Sequence, residues 1–235
     1  MSVPYFYIDS YDGSQELIEL PEETSRHVIQ VLRMKKGENL NLTDGKGTLF
    51  ECEIVDDHKK HSIVGVKSKI KILKSKIETT VAISLIKNTD RFEWFLEKAT
   101  EIGVSEIIPL ICERTEKEKF RYDRMKGICI SAMLQSQQVW LPVLQEPVTF
   151  KQVIDQVKQQ QKFIAHCITG EKRNLAAVVD KNLYSRIILI GPEGDFTKEE
   201  ADLAGQHQFT AVSLGETRLR TETAGVVAAT ILNIV

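Results

Sequence analysis

The chain has 235 residues, with 31 Lys and Arg against 33 Asp and Glu, so its formal charge is only -2. With 42% hydrophobic and 27% charged residues, it has the balance of a soluble globular protein able to bury one large or two small cores. No apolar run approaches the ~20 residues of a membrane helix, and near-neutrality means that any grip on nucleic acid comes from local patches rather than bulk charge.

The N-terminal stretch MSVPYFYIDSYDG lacks the basic start and apolar run of a signal peptide. Cys52, Cys112, Cys129 and Cys167 lie far apart, with no C-x-x-C pair. They read as buried thiols of a reducing compartment, and a cytoplasmic location is expected.

Residues 1–73 carry short strand-like runs at Val3–Ile8, Leu17–Leu20, Leu40–Thr43, Thr48–Val55 and Ser62–Val66. Asp44-Gly45, with Gly47 beyond, marks a hairpin turn between two of them. One helix is predicted over Glu22–Met34, where Val28, Val31 and Leu32 recur at helical spacing before Gly37. Many short strands around one helix predict a small β-barrel. A basic run, KSKIKILKSK (67–76), has five lysines and no acid. A second, RTEKEKFRYDRMK (114–126), mixes six basic residues with three acidic ones. Each suits RNA contact, and equally a solvated strand edge or a mixed-charge helix start.

From Thr79 the texture changes to alternating strand and helix, with the boundary in the lysine-rich stretch near 70–78. Thr80–Ile86 suits a buried parallel strand. DRFEWFLEKATEIG puts Phe92, Phe95, Leu96, Ala99 and Ile102 on one helical face, with Gly103 as the terminator. Further strands are predicted at Glu106–Ile111, Phe163–Cys167, Arg186–Ile190 and Ala211–Leu214. Helices are predicted at Tyr122–Gln138, Phe150–Gln160 and Lys198–Gly205. This alternation predicts an open α/β sheet with helices on its faces. The terminal run TAGVVAATILNIV (223–235) is apolar nearly all round, so it is buried within its own domain or in a self-complementary dimer contact.

Two glycine-bearing loops follow predicted strands. In IILIGPEGDFTKEE, Gly191-Pro192-Glu193-Gly194 precede a helix with Thr197 as N-cap. In VSLGETRLRTETAG, Gly215 is followed by Arg218 and Arg220 and then the final helix. In open α/β sheets ligands sit beyond the carboxyl ends of strands, where both loops fall. Taken alone, the first could be an ordinary turn, Thr221 an N-cap, Glu222 a first-turn acid and the arginines surface charges. Neither loop is G-x-G-x-x-G, and there is no P-loop, G-x-S-x-G or H-E-x-x-H. His58-Lys59-Lys60-His61 has the spacing of a weak metal pair without an obvious third ligand, so no metal site is expected.

GPEGDFT (191–197) with LGETRLRTETA (214–224) resembles the ribosomal small-subunit methyltransferase E family, SPOUT-class enzymes that methylate N3 of a uridine in 16S rRNA with S-adenosylmethionine. HVIQVLRMKKGENLNLTDGKG (27–47) resembles the family's PUA-like barrel. EKATEIGVSEIIPL (97–110) and AMLQSQQVWLP (132–142) resemble the start of its catalytic domain. The resemblance implies a PUA-like RNA-binding β-barrel over 1–73 and a SPOUT α/β domain over 74–235 with a C-terminal trefoil knot. It also implies a homodimer packed through the final helix, and 16S rRNA as partner, within the small ribosomal subunit. S-adenosylmethionine would be held by His166, Gly191, Pro192, Glu193, Gly194, Leu214, Gly215, Leu219, Arg220, Thr221, Thr223 and Ala224. Arg220 would stabilise charge spreading over the uracil, with Glu222 orienting it or accepting the proton. Arg218, Arg26, Arg33, Lys69 and Lys71 would hold RNA. A silent RNA-binding protein of the same fold and a SPOUT enzyme acting on another RNA are the alternatives. The sequence departs from the family around its Gln135-Ser136 motif, where uncharged Leu134 precedes and Gln137-Gln138 follow in place of acidic and basic residues, and at Asp195, where Gly is frequent.

Overall fold

The computed structural model describes residues 3–9, 11, 15–116, 119–168 and 170–234. Lys117 and Glu118 of the second basic run, and parts of the N-terminal stretch, lie outside the described residues. The chain divides into two units: Met1–Lys74 with Met133–Leu141, and Ser75–Ala132 with Pro142–Val235.

In the first unit the alternating runs form β1 (Tyr5–Tyr7), β2 (Leu17–Glu19), β3 (Asn39–Thr43), β4 (Thr48–Asp56) and β5 (Ile63–Lys71), with α1 (Glu22–Arg26) between β2 and β3. Among the described residues they make one five-stranded sheet, in the order β1-β3-β4-β5-β2, antiparallel except for β1 on β3. Every second side chain enters a core of Phe6, Ile18, Leu40, Leu42, Phe50, Cys52, Ile54 and Val64, the period-2 signature of a one-sided sheet. At the β3–β4 turn Asp44 Oδ1 accepts from the amides of Lys46 and Thr48 at 2.8 and 3.1 Å. Gly47, at φ 87°, lies under Trp140: a Cβ there would fall 2.2 Å from the indole ring. The Trp140 Nε1 donates to the Ile72 carbonyl at 3.1 Å, and the amides of Gly47 and Leu141 bond to the carbonyls of Val139 and Gly45.

The helix predicted over Glu22–Met34 is shorter than its periodicity suggests. α1 ends at Arg26 and widens into a π-helical turn over His27–Val31, and Arg33 takes a left-handed φ of 58°. Only Val28 of the three spaced apolar residues is buried; Val31 and Leu32 face solvent. β-Branched Val28, Ile29 and Val31 in succession give weak helix propensity, so the one buried anchor does not extend the helix. The strand predicted to end at Val66 continues to Lys71, carrying the first lysines of the basic run beside β4.

The second unit contains β6 (Glu78–Ser84), α2 (Thr89–Ile102), β7 (Glu106–Ile111), α3 (Tyr122–Gln135), β8 (Val143–Leu144), β9 (Val148–Thr149), α4 (Phe150–Gln156), β10 (Gln161–Ala165), β11 (Arg173–Asn174), α5 (Leu175–Val178), β12 (Ser185–Ile190), α6 (Lys198–Gln206), β13 (Thr210–Ser213) and α7 (Thr221–Ile234). The last turn of α3 already belongs to the first unit. All strand pairings among the described residues are parallel, in the order β11-β13-β10-β12-β6-β7-β8, with β9 also on β7. The central strands are apolar on both faces, as a sheet covered by helices requires.

Caps set the helix ends. The Asn88 side chain accepts from the Asp90 amide at the start of α2, and Gly103, at φ 92°, ends it. Thr197 and Glu200 form a capping box on α6. α3 stops at Gln135, not Gln138, because Gln137 turns left-handed and the Gln138 amide bonds back to the Met133 carbonyl. α4 stops at Gln156 because Val157 is extended and packs against the sheet core. α7 packs on α2, β6 and β12, with Gly225 against the Phe95 ring and Ile83. Its far end is held by Arg186, which is fully buried and donates from Nη1 to the Leu232 carbonyl at 2.6 Å and from Nε to that of Leu183 at 3.2 Å.

Candidate active site

β10, β12 and β13 are neighbours in the sheet, so the loops leaving their carboxyl ends meet although they are distant in sequence. Together with the first turn of α2 they frame a cavity of about 580 Å³, large enough for a nucleoside-sized ligand. Its walls are Ala165–Cys167 and Lys172 after β10, Ile190–Glu193 and Asp195 after β12, Val212–Thr221 with Ala224 after β13, and Arg91 from α2.

Side chains fasten these loops to one another. The Thr221 hydroxyl, in the first residue of α7 rather than at its N-cap, donates to the Gly191 carbonyl at 3.0 Å. Asp195 adopts φ 63°, the left-handed conformation that Gly or Asp tolerates. Its two oxygens accept from the Cys167 and Phe196 amides at 2.8 and 2.9 Å, tying the β10 loop to the β12 loop. Asp here therefore gives the loop two bonds that a Gly would lack. Arg114 Nη1 holds the Gly194 carbonyl at 2.7 Å, and the Glu193 carboxylate accepts from the Lys87 amide at 3.3 Å. A Cβ at Gly191 would lie 3.0 Å from the Phe196 ring, a tight contact that the ring would have to relieve by a small shift. Gly215, at φ 143°, has open space around it and takes a backbone conformation that L side chains rarely adopt.

His166 lines the cavity with Nδ1 buried and without a hydrogen-bond partner among the described residues. Burial, and then the nearby Lys172 charge, push its pKa below the usual imidazole value, outweighing Asp195, so it is neutral at pH 7. A buried polar atom without a partner costs stability unless a ligand supplies one. Arg218 and Arg220 are exposed at the mouth, and neither makes an ion pair among the described residues.

Of the sequence-predicted cofactor residues, His166, Gly191, Pro192, Glu193, Leu214, Gly215, Leu219, Arg220, Thr221 and Ala224 line this cavity. Gly194, Thr223 and Glu222 do not. Glu222 is buried, and its charged partner is Arg91, with Nε 3.7 Å from Oε1, rather than Arg220. The predicted RNA residues of the first unit fall on separate elements, with Lys69 and Lys71 together on one face of β5. Arg26 pairs with Glu22 on α1, and Arg33 follows the π turn. Lys69 lies over the Phe50 ring, and Lys71 donates to Thr48. Cys167 departs from the expected buried thiols: it is exposed beside the cavity. Burial pushes Cys52 and Cys112 up to about 12 and Cys129 to about 11, leaving them protonated and inert. Sequence reasoning missed Arg91, Cys167, Lys172 and Asp195 as cavity residues. The signal for Arg91 was its place in the first turn of the helix that follows a buried parallel strand.

The chain joins a parallel sheet, with a cavity at the β10–β12–β13 ends, to a mostly antiparallel sheet, and the family models identify the class as RNA methyltransferase. An RNA methyltransferase domain model matches residues 73–233, and an RNA methyltransferase PUA domain model matches residues 20–67. The Ribosomal RNA small subunit methyltransferase E of Rickettsia conorii is 30% identical over 227 residues, 94% of this chain and 91% of that one. A probable rRNA-methyltransferase of Porphyromonas gingivalis superposes with a TM-score of 0.90 at 36% identity, covering 97% of this chain and 95% of that one. The Neisseria gonorrhoeae Ribosomal RNA small subunit methyltransferase E, bound to S-adenosyl methionine, superposes at 0.87 with 28% identity over 97% and 95%. The chain belongs to the ribosomal RNA small subunit methyltransferase E family.

Proposed function

We propose that this chain transfers a methyl group from S-adenosylmethionine to N3 of a uridine in 16S rRNA. The observation that carries the reading is the cavity at the β10, β12 and β13 ends, with two arginines at its mouth that form no ion pair among the described residues, in a member of this family. The residues present fit the cofactor: the neutral His166 offers a buried Nδ1 unpartnered among the described residues, and Gly215, with open space around it, lets backbone approach a ligand closely. Gly191, Pro192, Leu214, Gly215, Leu219 and Ala224 would hold it, largely through main chain and apolar contact. Bound there, S-adenosylmethionine supplies an electrophilic methyl group on a cationic sulfur.

The chain's own work is alignment and charge. Holding both reactants in line removes most of the entropic barrier. Arg220 stabilises the negative charge that spreads to the uracil oxygens as N3 loses its proton, and Arg218 holds phosphate or ribose. The neutral His166 avoids repelling a cationic ligand. Residues 1–73, with Arg26, Arg33, Lys69 and Lys71, position the RNA, and residues 74–235 perform transfer. Their near-balanced charge favours a folded small subunit over free RNA, recognised by shape and a few phosphates, and such a substrate places the protein in the cytoplasm. The same reading gives the C-terminal region a trefoil knot, which the return of α7, after β13, onto β6, β12 and α2 supports. Two copies meet through α7, whose Val226, Val227, Ile231 and Ile234 remain partly exposed.

Methyl transfer from labelled S-adenosylmethionine to small subunits of a strain lacking the activity tests the reading, with free 16S rRNA and tRNA as controls. N3-methyluridine on the subunit supports it. Silence on all three, with cofactor still bound, moves the function to another RNA.

A further inference from the structure

One wall of the cavity comes from outside the three loops. Arg91, in the first turn of α2, lines it beside Gly191 and the 214–221 segment. Its charged partner, Glu222, sits in the first turn of α7, where the helix N-terminus favours an acid. The pair is asymmetric: the Glu222 side chain is 8% exposed and that of Arg91 41%. At 3.7 Å from Nε the contact is an ion pair beyond hydrogen-bond length, and no hydrogen bond occupies the terminal nitrogens of Arg91 among the described residues. Glu222 Oε2 is itself buried without a hydrogen-bond partner among the described residues. An arginine kept for stability would use its planar fork on the carboxylate, in the bidentate geometry that gives strength. Here a buried carboxylate fixes the guanidinium from one edge and leaves the other free beside the cavity. Of the other acids lining the cavity, Asp195 is spent on two amides, Glu193 accepts from the Lys87 amide, and Glu216 is exposed and makes no ion pair with Arg91 among the described residues.

We propose that Arg91 is an anion-holding residue of this site, positioned by Glu222, and that its free edge grips a carboxylate or phosphate oxygen of a bound ligand. The source is either the amino-acid carboxylate of the cofactor or a phosphate of the RNA. The proposal rests on the methyltransferase reading above and assigns Glu222 to orienting Arg91 rather than to proton transfer.

Calorimetry with the full chain separates the sources. Wild type, Arg91→Gln, Arg91→Lys and Glu222→Gln are titrated with S-adenosylmethionine and with its decarboxylated analogue, and their binding to small subunits is measured across salt. A cofactor contact makes Arg91→Gln lose about tenfold or more in affinity for S-adenosylmethionine, with no preference left over the analogue. An RNA contact leaves both small ligands unaffected, weakens subunit binding and lowers the slope of log K against log salt by about 1. In either case Arg91→Lys recovers part of the loss. Glu222→Gln acts in the same direction, and its effect does not add to that of Arg91→Gln. Wild-type affinities in both arms overturn the proposal. So does an equal loss in both arms accompanied by a lowered melting temperature, the mark of a structural pair. A wild-type protein that binds cofactor but no subunit removes the rRNA reading and leaves the cofactor arm to decide Arg91.

Discussion

Arg186→Met removes a charge from the interior and the donors to at least three carbonyl groups. Arg186 is fully buried at the start of β12, bonding to the carbonyls of Leu232 at 2.6 Å, Leu183 at 3.2 Å and Asp180 at 3.5 Å. Burial lowers its pKa, with Asp180 opposing, which is the sign of an unfavourable desolvation offset by the bonds it makes. A bond from a charged donor is worth roughly 1.5–3 kcal/mol, and the two shorter contacts carry most of that here. Replacing the ion by an apolar chain of similar length returns roughly 1–3 kcal/mol of desolvation. Among the described residues the Leu232 carbonyl keeps the Thr79 hydroxyl, at 3.4 Å. A net loss of about 3 kcal/mol follows, which for a domain of this size lowers the melting temperature by about 6–12 °C. Thermal unfolding of the full chain, with Arg186→Lys as an intermediate case, reads this directly. Because Arg186 lies at the opposite end of β12 from Ile190 and the cavity, affinity for S-adenosylmethionine stays near wild type. A Met variant that melts at or above wild type would refute the reasoning and show that desolvation outweighs the three bonds.

Arg220→Ala lowers methyl transfer by about 10²–10³-fold while leaving cofactor affinity close to normal, since the residue acts on charge that develops in the transition state; equal loss of both assigns it to the cofactor pocket. His166 is held below its ordinary pKa of 6.5, so the unfolded chain takes up a proton that the folded chain refuses. Its stabilising contribution is complete above that value and is lost as the pH falls, so His166→Gln flattens the acid side of a plot of melting temperature against pH. Cys167 is exposed beside the cavity while Cys52, Cys112 and Cys129 are buried, so mild alkylation labels Cys167 first and S-adenosylmethionine slows it; mass spectrometry of the labelled peptide, with and without cofactor, measures the protection.

Local chemistry was legible where a single segment carries it. The run Glu106–Ile111 is a strand from end to end, Gly103 ends α2, and Thr197 caps α6, because each depends on residues within a few positions. The two glycine loops were legible as strand-end loops for the same reason. β8, β9, β11 and α5 escaped notice because two to four residues are too few to show a period. Glu22–Met34 misled because its apolar spacing suits a helix, while its β-branched residues and the left-handed Arg33 bring the α-helix to an early end. Arg91 and Cys167 belong to the site only because the sheet order places the ends of β6, β10 and β12 side by side. Nothing within ten residues of either encodes that order.

The clasp of Trp140 over Gly47 bears on how the protein is made. The β3–β4 turn is covered by residues 139–141, which a ribosome delivers long after the strands that the turn connects. Vectorial synthesis therefore exposes the first sheet before its cover exists, and its last packing step waits until that later stretch has left the exit tunnel. A fragment cut after Lys74 would display Gly47 and the Ile72 carbonyl to solvent, whereas a fragment reaching Leu141 would carry its own cover. Nascent chains stalled at successive lengths should then gain protease resistance in the first unit in two stages, the second only once Trp140 has emerged.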